Sequence, residues 1–442
     1  MKDVGILGGG ISGLFMGRFL GEGSEVLERD STPGGLSRTF GGNGFKSDIG
    51  GHILFSKDKE ALAHSLHVLG KNVRTARRAN RILYNGVHVK YPFENGIDQL
   101  APEERVEILC DFIENPHKEK PTQFKEWMFH VFGDALTNKY MLPYNEKIWK
   151  TPSEDMSLEW VERVPRPPLR DLVKTAIGIS TEGYTHQLYF QYPEKGGFEA
   201  FPRAIADGVG QRLFTNCDVQ KLKQVDGGWA VITRDGSERR YKQLVSTLPI
   251  NTLFDALGDV PAEVQAAADA LRFNSLRVVL VGIKGETLPE YTALYVPSPE
   301  VLAHRLCFNH VFSPDLVPAG HQSISCEITV RPGSDLDQWS DDQLITRKVD
   351  DLVKVGLLKK EQVVHTQVHR EKYAYVVYDR GYAQRVKVVR DYIEGRGLHI
   401  AGRFAEYQYV NTDACVRRAL ELSKQLRGSI APESRLPEGA LS

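Results

Sequence analysis

The chain has 442 residues, 41% of them hydrophobic and 26% charged, with a formal net charge of -1. At about 150 residues per domain this length implies two or three lobes, and the near-zero charge excludes a global field steering the chain onto nucleic acid or anionic lipid. Cys110, Cys217, Cys307, Cys326 and Cys415 are widely spaced and include no CxxC pair, which excludes a disulfide framework or a zinc site and makes a reducing cytoplasm the expected location.

The apolar run at the N-terminus is broken by glycines at motif spacing, so it reads as part of the fold and not as a leader. No other stretch reaches the roughly 18 apolar residues of a membrane span. Val4 to Leu7 reads as a buried strand, and Ile11 to Leu20 continues with helical spacing until Gly21 and Gly23. Between them Gly8, Gly10 and Gly13 fit GxGxxG. Gly8 permits the tight turn, Gly10 lets the backbone approach a pyrophosphate at the helix N-terminus, and Gly13 lets helix and strand pack closely. A second strand, Glu25 to Leu27, ends in Glu28, about 20 positions after the glycines, where a carboxylate would bond a ribose hydroxyl. The chain therefore holds a dinucleotide.

The next stretch, RDSTPGGLSRTF, carries a second Gly-Gly step and Arg38. It resembles the FAD fingerprint of the amine oxidase and protoporphyrinogen oxidase class. That resemblance implies that Gly34, Gly35, Leu36 and Arg38 lie along the pyrophosphate and toward the flavin. YPEKGGFEAFPRAIA (192 to 206) looks like the loop and helix reopening the flavin domain, Cys217 to Val219 like the adenine-side strand, and LVSTLP (244 to 249) like the strand returning to the cofactor.

Residues 100 to 150 read as helical, with Pro102 in a first turn and Val106, Leu109, Cys110 and Ile113 forming an apolar face for core packing. From Ser275 the pattern turns strand-like: LRVVLVGI (276 to 283), SISCEITV (323 to 330) and QVVHTQVHREKYAYVVY (362 to 378). The expected fold is α/β, a discontinuous Rossmann-type FAD domain (1–75, 190–255 and 380–430). It carries an inserted, mainly helical substrate lobe (76–189), an antiparallel-sheet substrate lobe (256–379) and a loose tail (431–442).

Six stretches in consistent order, GGHILFS, YPFENGIDQL, MLPYNEKIWKTP, WVERV, HRLCFNHVFSP and GRFAEYQYVNTD, resemble the UDP-galactopyranose mutase family. The resemblance implies an isomerase that interconverts pyranose and furanose forms of a nucleotide sugar, as in polysaccharide biosynthesis, with FAD that acts when reduced and is not consumed. By that resemblance, N5 of the reduced flavin would attack the anomeric carbon while the nucleotide diphosphate leaves. Arginines suit that leaving group, because a guanidinium donates two parallel hydrogen bonds to phosphate and keeps its charge when partly buried.

By the same resemblance Arg163 and Arg305 are the diphosphate arginines, and Tyr375 and Tyr409 are phenols on the phosphates. His52, after Gly50 and Gly51, sits in a loop beside the flavin that responds to its redox state. Arg403, Asn411 and Asp413 are flavin-side contacts, with a helix from Ala414 facing the isoalloxazine carbonyls. Tyr91, Phe93, Glu94, Asn145, Trp149, Tyr295 and Asn309 join the substrate-binding set.

Three positions depart from the family pattern. Glu94 replaces a uridine-contacting Gln, and a carboxylate accepts where an amide also donates, so it suits the amino-bearing edge of guanine or cytosine; UDP is the default. Phe312 replaces a phosphate-contacting Tyr, and Val376 replaces the Pro after Tyr375. The rival readings are an FAD-dependent oxidoreductase of the amine oxidase or desaturase type, and a flavin-binding protein without catalysis. Two arginines converging on an apolar oxidase cavity would cost desolvation for no purpose. Reduction by NAD(P)H is open, since no second Rossmann fingerprint is present, and the sugar, the base and the oligomeric state are also open.

Overall fold

The computed structural model describes residues 1–429 apart from Pro165, Tyr184, His186 and Gln187; the side chains of Arg163 and Ser429 are outside the described set as well. The expected tail, 431–442, therefore lies outside the described residues.

Two sheets organise the described residues. In the first, β1 (Lys2–Leu7) is central, flanked in parallel by β2 (Ser24–Leu27) and by the strand Glu238–Ser246. Leu213–Phe214 extends the β2 edge, and His399–Ile400 pairs in parallel with the C-terminal end of Glu238–Ser246. The antiparallel strands Gly228–Thr233 and Val219–Val225 complete that edge. Val4, Ile6 and Leu7 are buried, as expected of a parallel strand covered on both faces. Helix α1 (Ile11–Leu20) has the predicted bounds and packs against the helices Ala200–Val209 and Thr412–Ser429.

The second sheet is built on Phe273–Lys284, which pairs antiparallel with Val363–Val376 on one side and His321–Val330 on the other. These are the three strand-like stretches of the sequence. The order continues through Arg305–Phe308 and Ala293–Tyr295. Two strands from the stretch expected to be mainly helical, Asn80–Tyr84 and Val87–Lys90, then finish the sheet, the first pairing in parallel with Ala293–Tyr295.

The helix Pro102–Glu114 exists but is rotated relative to the expected face. Val106 and Ile113 are more than half exposed and Cys110 is exposed, whereas Ile108 is fully buried. Leu109 and Phe112 join Ile108 at the contact with helix Phe124–Leu136, so the core-facing stripe starts two residues later than the apolar spacing suggested. No described helix is long and apolar enough to cross a membrane.

Candidate active site

The glycine turn is built as the motif demands. Gly8 adopts φ +98°, a left-handed conformation that favours glycine. A Cβ on Gly13 would collide with the Gly8 carbonyl oxygen, so only glycine lets α1 lie this close to β1. A Cβ on Gly10 would meet nothing within 4 Å, because Gly10 borders open space at the start of α1. That space is a cavity of about 300 Å³ lined by Gly8, Gly10, Glu28, Gly35 and Arg38 at one end and by Val219 and Thr247 further along. The residues present fit a dinucleotide, since the cradle is one a side chain would fill and the backbone amides of a helix N-terminus face it.

Glu28 lines this cavity and accepts from the amides of Gly9 (2.6 Å) and Asp30 (2.8 Å). Burial pushes its carboxyl above the usual range, partly countered by those amides. Arg38 is held by the Gly35 carbonyl (2.9 Å) and by Asp30 (3.0 Å).

A second cavity of about 110 Å³ shares Leu36, His52, Arg403 and Thr412 with the first, and is lined further by Gly50, Gly51, Arg305, Tyr375, Tyr409 and Asn411. Arg403 and Asn411, expected beside the flavin, and Arg305, Tyr375 and Tyr409, expected at the phosphates, thus line one space. His52 stacks on Phe198 (5.0 Å) and contacts the Gly50 carbonyl through Nδ1 (2.9 Å). Burial pushes its pKa down to about 4, helped by Arg403 and Arg305, so His52 is neutral at pH 7. Arg403 donates to the Val410 carbonyl from Nη2 (2.7 Å) and lies over the Tyr409 ring at 4.4 Å. Tyr375 and Tyr409 stack nearly parallel, 6.1 Å apart.

Arg305 and Glu327 are opposite each other on neighbouring strands. Arg305 donates from Nε (2.9 Å) and Nη2 (2.6 Å) to the two oxygens of Glu327, a side chain only 1% exposed. Glu327 also accepts from the Gly51 amide (2.9 Å) and from the Cys307 thiol (3.3 Å). Burial opposes both charges, yet each holds the other: the Glu327 carboxyl stays below the usual range and Arg305 stays protonated well above it. Because Glu327 occupies the Nε side of the guanidinium, the outer edge with Nη1 keeps two parallel N–H groups for a second anion.

Sequence reasoning missed Glu327. The signal was a lone carboxylate inside the apolar strand SISCEITV, which must be paired if buried. It also missed Ser12, Thr247, Thr412 and Cys415, which line the first cavity. Lys147 was missed too; it donates to the carbonyls of Val296 (2.8 Å), Ser298 (2.7 Å) and Val301 (2.6 Å), pinning the loop between Tyr295 and Arg305.

Other expected residues sit elsewhere. Asp413 accepts from Ser56 and from Ala414 N (2.9 Å), and lines neither main cavity. Asn309 donates to Ser323 (2.9 Å) and accepts from Ser325 (2.8 Å), so both ends of its amide are engaged in the core. Asn145 donates to the Met141 carbonyl (2.7 Å). Trp149 is buried, edge-on to Tyr375 (6.2 Å) and Tyr409 (6.3 Å). Tyr91 stacks on Tyr295 (4.7 Å), and Phe93 stacks on Tyr140 (5.1 Å). The Arg163 side chain is outside the described residues. Phe312 packs against Phe190 and Tyr192, and Val376, at the end of the strand Val363–Val376, is buried in a core it shares with Leu7 and Leu244 of the first sheet, so both departures are apolar packing positions.

The flavin containing amine oxidoreductase family model matches residues 24–426. Among solved structures, a reduced UDP-galactopyranose mutase is similar with a TM-score of 0.88 and 25% identity, covering 98% of this chain and 97% of that one. A CLA-producing fatty acid isomerase from P. acnes (TM-score 0.65, 15% identity, 96% and 98% covered) shares the fold. So does a wild-type putrescine oxidase bound to putrescine (TM-score 0.64, 16% identity, 97% and 99% covered). The family match takes in nearly the whole chain, including the second glycine step, the Arg305–Glu327 pair and the Arg403 loop, and so this protein is an FAD-dependent enzyme belonging to the flavin containing amine oxidoreductase family.

Proposed function

We propose that this enzyme interconverts the pyranose and furanose forms of a nucleotide diphosphate hexose. The observation that carries the reading is Arg305, held by Glu327 with its outer guanidinium edge available, in a small cavity that continues into the dinucleotide cavity. Reduced FAD, when bound, supplies a nucleophilic N5 for the anomeric carbon. The protein's task is then to stabilise the departing diphosphate and to hold the sugar over the flavin. Arg305 spreads the charge that develops on the leaving phosphate, and Tyr375 and Tyr409 offer phenolic donors beside it. His52, neutral at pH 7, adds no charge next to Arg305 and Arg403. Similarity over 98% of the chain to a UDP-galactopyranose mutase supports the same reading. The substrate is a nucleotide sugar met in the cytoplasm.

A second reading, oxidation of an amine, is favoured by one observation: the parallel Tyr375 and Tyr409 rings, whose π-faces attract a cation. One experiment separates the two. Holoenzyme reduced with dithionite under nitrogen is incubated with UDP-, GDP-, CDP- and dTDP-hexoses, and oxidised holoenzyme is incubated with primary amines and oxygen. Furanose product from a nucleotide hexose, formed only by the reduced enzyme, establishes the mutase. Amine-dependent oxygen consumption without furanose product establishes the oxidase.

A further inference from the structure

Five of the ten large apolar side chains that stand exposed among the described residues gather around two helices. Val106 and Ile113 belong to the helix Pro102–Glu114; Leu169 opens the helix Leu169–Ala176, and Ile177 and Ile179 follow its end. Each is 46% to 68% exposed, and the two helices pack against each other. Exposed apolar residues scattered singly are ordinary, but a cluster of them marks a contact surface. The stripe that the apolar spacing assigns to the core therefore has the character of a core whose cover comes from outside the chain.

The charges beside the two stripes decide what that cover is. On Pro102–Glu114, Val106, Cys110 and Ile113 run along the exposed face next to Glu103, Glu107 and Glu114, at three-four spacing. Glu107 is paired with Lys139 (3.0 Å), whereas Glu103 and Glu114 have no ion pair among the described residues. On the second helix Leu172 and Thr175 are buried, and Leu169, Val173 and Ile177 run next to Arg170 and Lys174. These two cations likewise have no ion pair among the described residues. One helix thus offers an apolar stripe with an unpaired acidic edge, and its neighbour offers one with an unpaired basic edge. An anionic lipid surface suits the second and repels the first. A second copy of this chain suits both. Turned about a two-fold axis, each copy lays its acidic-edged helix on the basic-edged helix of the other, and the patch is complementary to itself.

We propose that this face is the interface of a two-fold homodimer in which Pro102–Glu114 of one copy packs against Leu169–Ala176 of the other. Val106, Ile113, Leu169 and Ile177 supply the apolar contact, and Glu103 and Glu114 meet Arg170 and Lys174 of the second copy. None of these residues lines either main cavity, so the proposal stands apart from the reading of the reaction.

The test is sedimentation equilibrium of full-length holoenzyme at micromolar concentration, with the flavin absorbance of each variant reporting that it is folded and loaded. The native enzyme should be a dimer. Arg170→Glu combined with Lys174→Glu sets acid against acid and should weaken dimerisation about tenfold or more. Adding Glu103→Lys and Glu114→Lys exchanges the signs and should return the affinity to within about threefold of native. Ile177→Asp, at the most exposed of the five apolar positions, should also weaken dimerisation about tenfold or more. A native enzyme that is monomeric at this concentration, a dimer indifferent to the double charge reversal and to Ile177→Asp, or a charge exchange that restores nothing overturns the proposal. A native monomer that co-sediments with vesicles of anionic phospholipid overturns it as well and assigns the face to lipid.

Discussion

Arg305 and Glu327 face each other across two antiparallel strands, and the guanidinium grips both carboxylate oxygens at 2.9 and 2.6 Å. The same carboxylate accepts from the amide of Gly51, next to His52. Removing its charge would leave a partly buried arginine without its anion and weaken the acceptor of the Gly51 amide. Glu327→Gln should therefore lower stability by about 3 kcal/mol, the low end for breaking a buried pair because Arg305 is about a quarter exposed. Denaturant unfolding of the holoenzyme measures this, and, on the mutase reading proposed above, the KM for the nucleotide sugar should rise alongside it.

Arg305→Ala should keep FAD, since the dinucleotide cradle lies on other residues. It should lose roughly 100-fold or more in kcat/KM, the usual cost of removing a charged donor to a developing anion. Arg305→Lys keeps the charge but loses the two-pronged edge, so its loss should be intermediate. Full turnover in the alanine variant would remove Arg305 from the mechanism.

Gly10 and Gly13 should fail differently. A methyl at Gly13 meets the Gly8 carbonyl, so Gly13→Ala should cost about 1 to 3 kcal/mol in the apoprotein itself. A methyl at Gly10 meets only open space, and the residue already has φ -73°, so Gly10→Ala should leave apoprotein stability unchanged. It should weaken FAD binding about tenfold or more by occupying the approach to the pyrophosphate. Thermal unfolding of apoprotein and fluorescence titration with FAD separate the two effects.

His304 makes stability depend on pH. It is 1% exposed, and burial drives its pKa from 6.5 down to about 3 against the pull of Glu327. The unfolded chain binds a proton there near pH 6.5 and the native state resists it until about pH 3, so this contribution is complete above pH 6.5 and is lost as the pH falls. Relative to His304→Gln, the native enzyme should lose on the order of 2 to 4 kcal/mol more between pH 7 and pH 3.5. Paired urea melts at the two pH values check the difference, and parallel melts would discard the assignment.

Much of the flavin half is legible because its signals are local. A turn that needs φ +98° at Gly8, and a contact that admits no Cβ at Gly13, restrict those positions to glycine whatever surrounds them. The strands of the second sheet are visible for the same reason: runs of β-branched residues bounded by Gly and Pro declare themselves over a few residues. The helix Pro102–Glu114 was equally visible as a helix, but not its orientation. Val106 and Ile113 look like core by spacing and are exposed, because the neighbouring helix Phe124–Leu136 covers the stripe through Ile108 and Phe112 instead.

The site shows the same division. The stretches that resemble the UDP-galactopyranose mutase family single out Arg305, Arg403, His52, Tyr375 and Tyr409, and the structure places all five around one cavity. What the local pattern does not carry is pairing across distance. Glu327 reaches Arg305 only through strand register, Lys147 reaches the loop after Tyr295 from a separate helix, and Tyr375, on the strand Val363–Val376, meets Tyr409 in the loop before the helix Thr412–Ser429. Backbone conformation and cofactor geometry are short-range constraints and can be read in short stretches. Charge partners and ring stacks are products of burial, which exists only once distant segments have excluded water from between them.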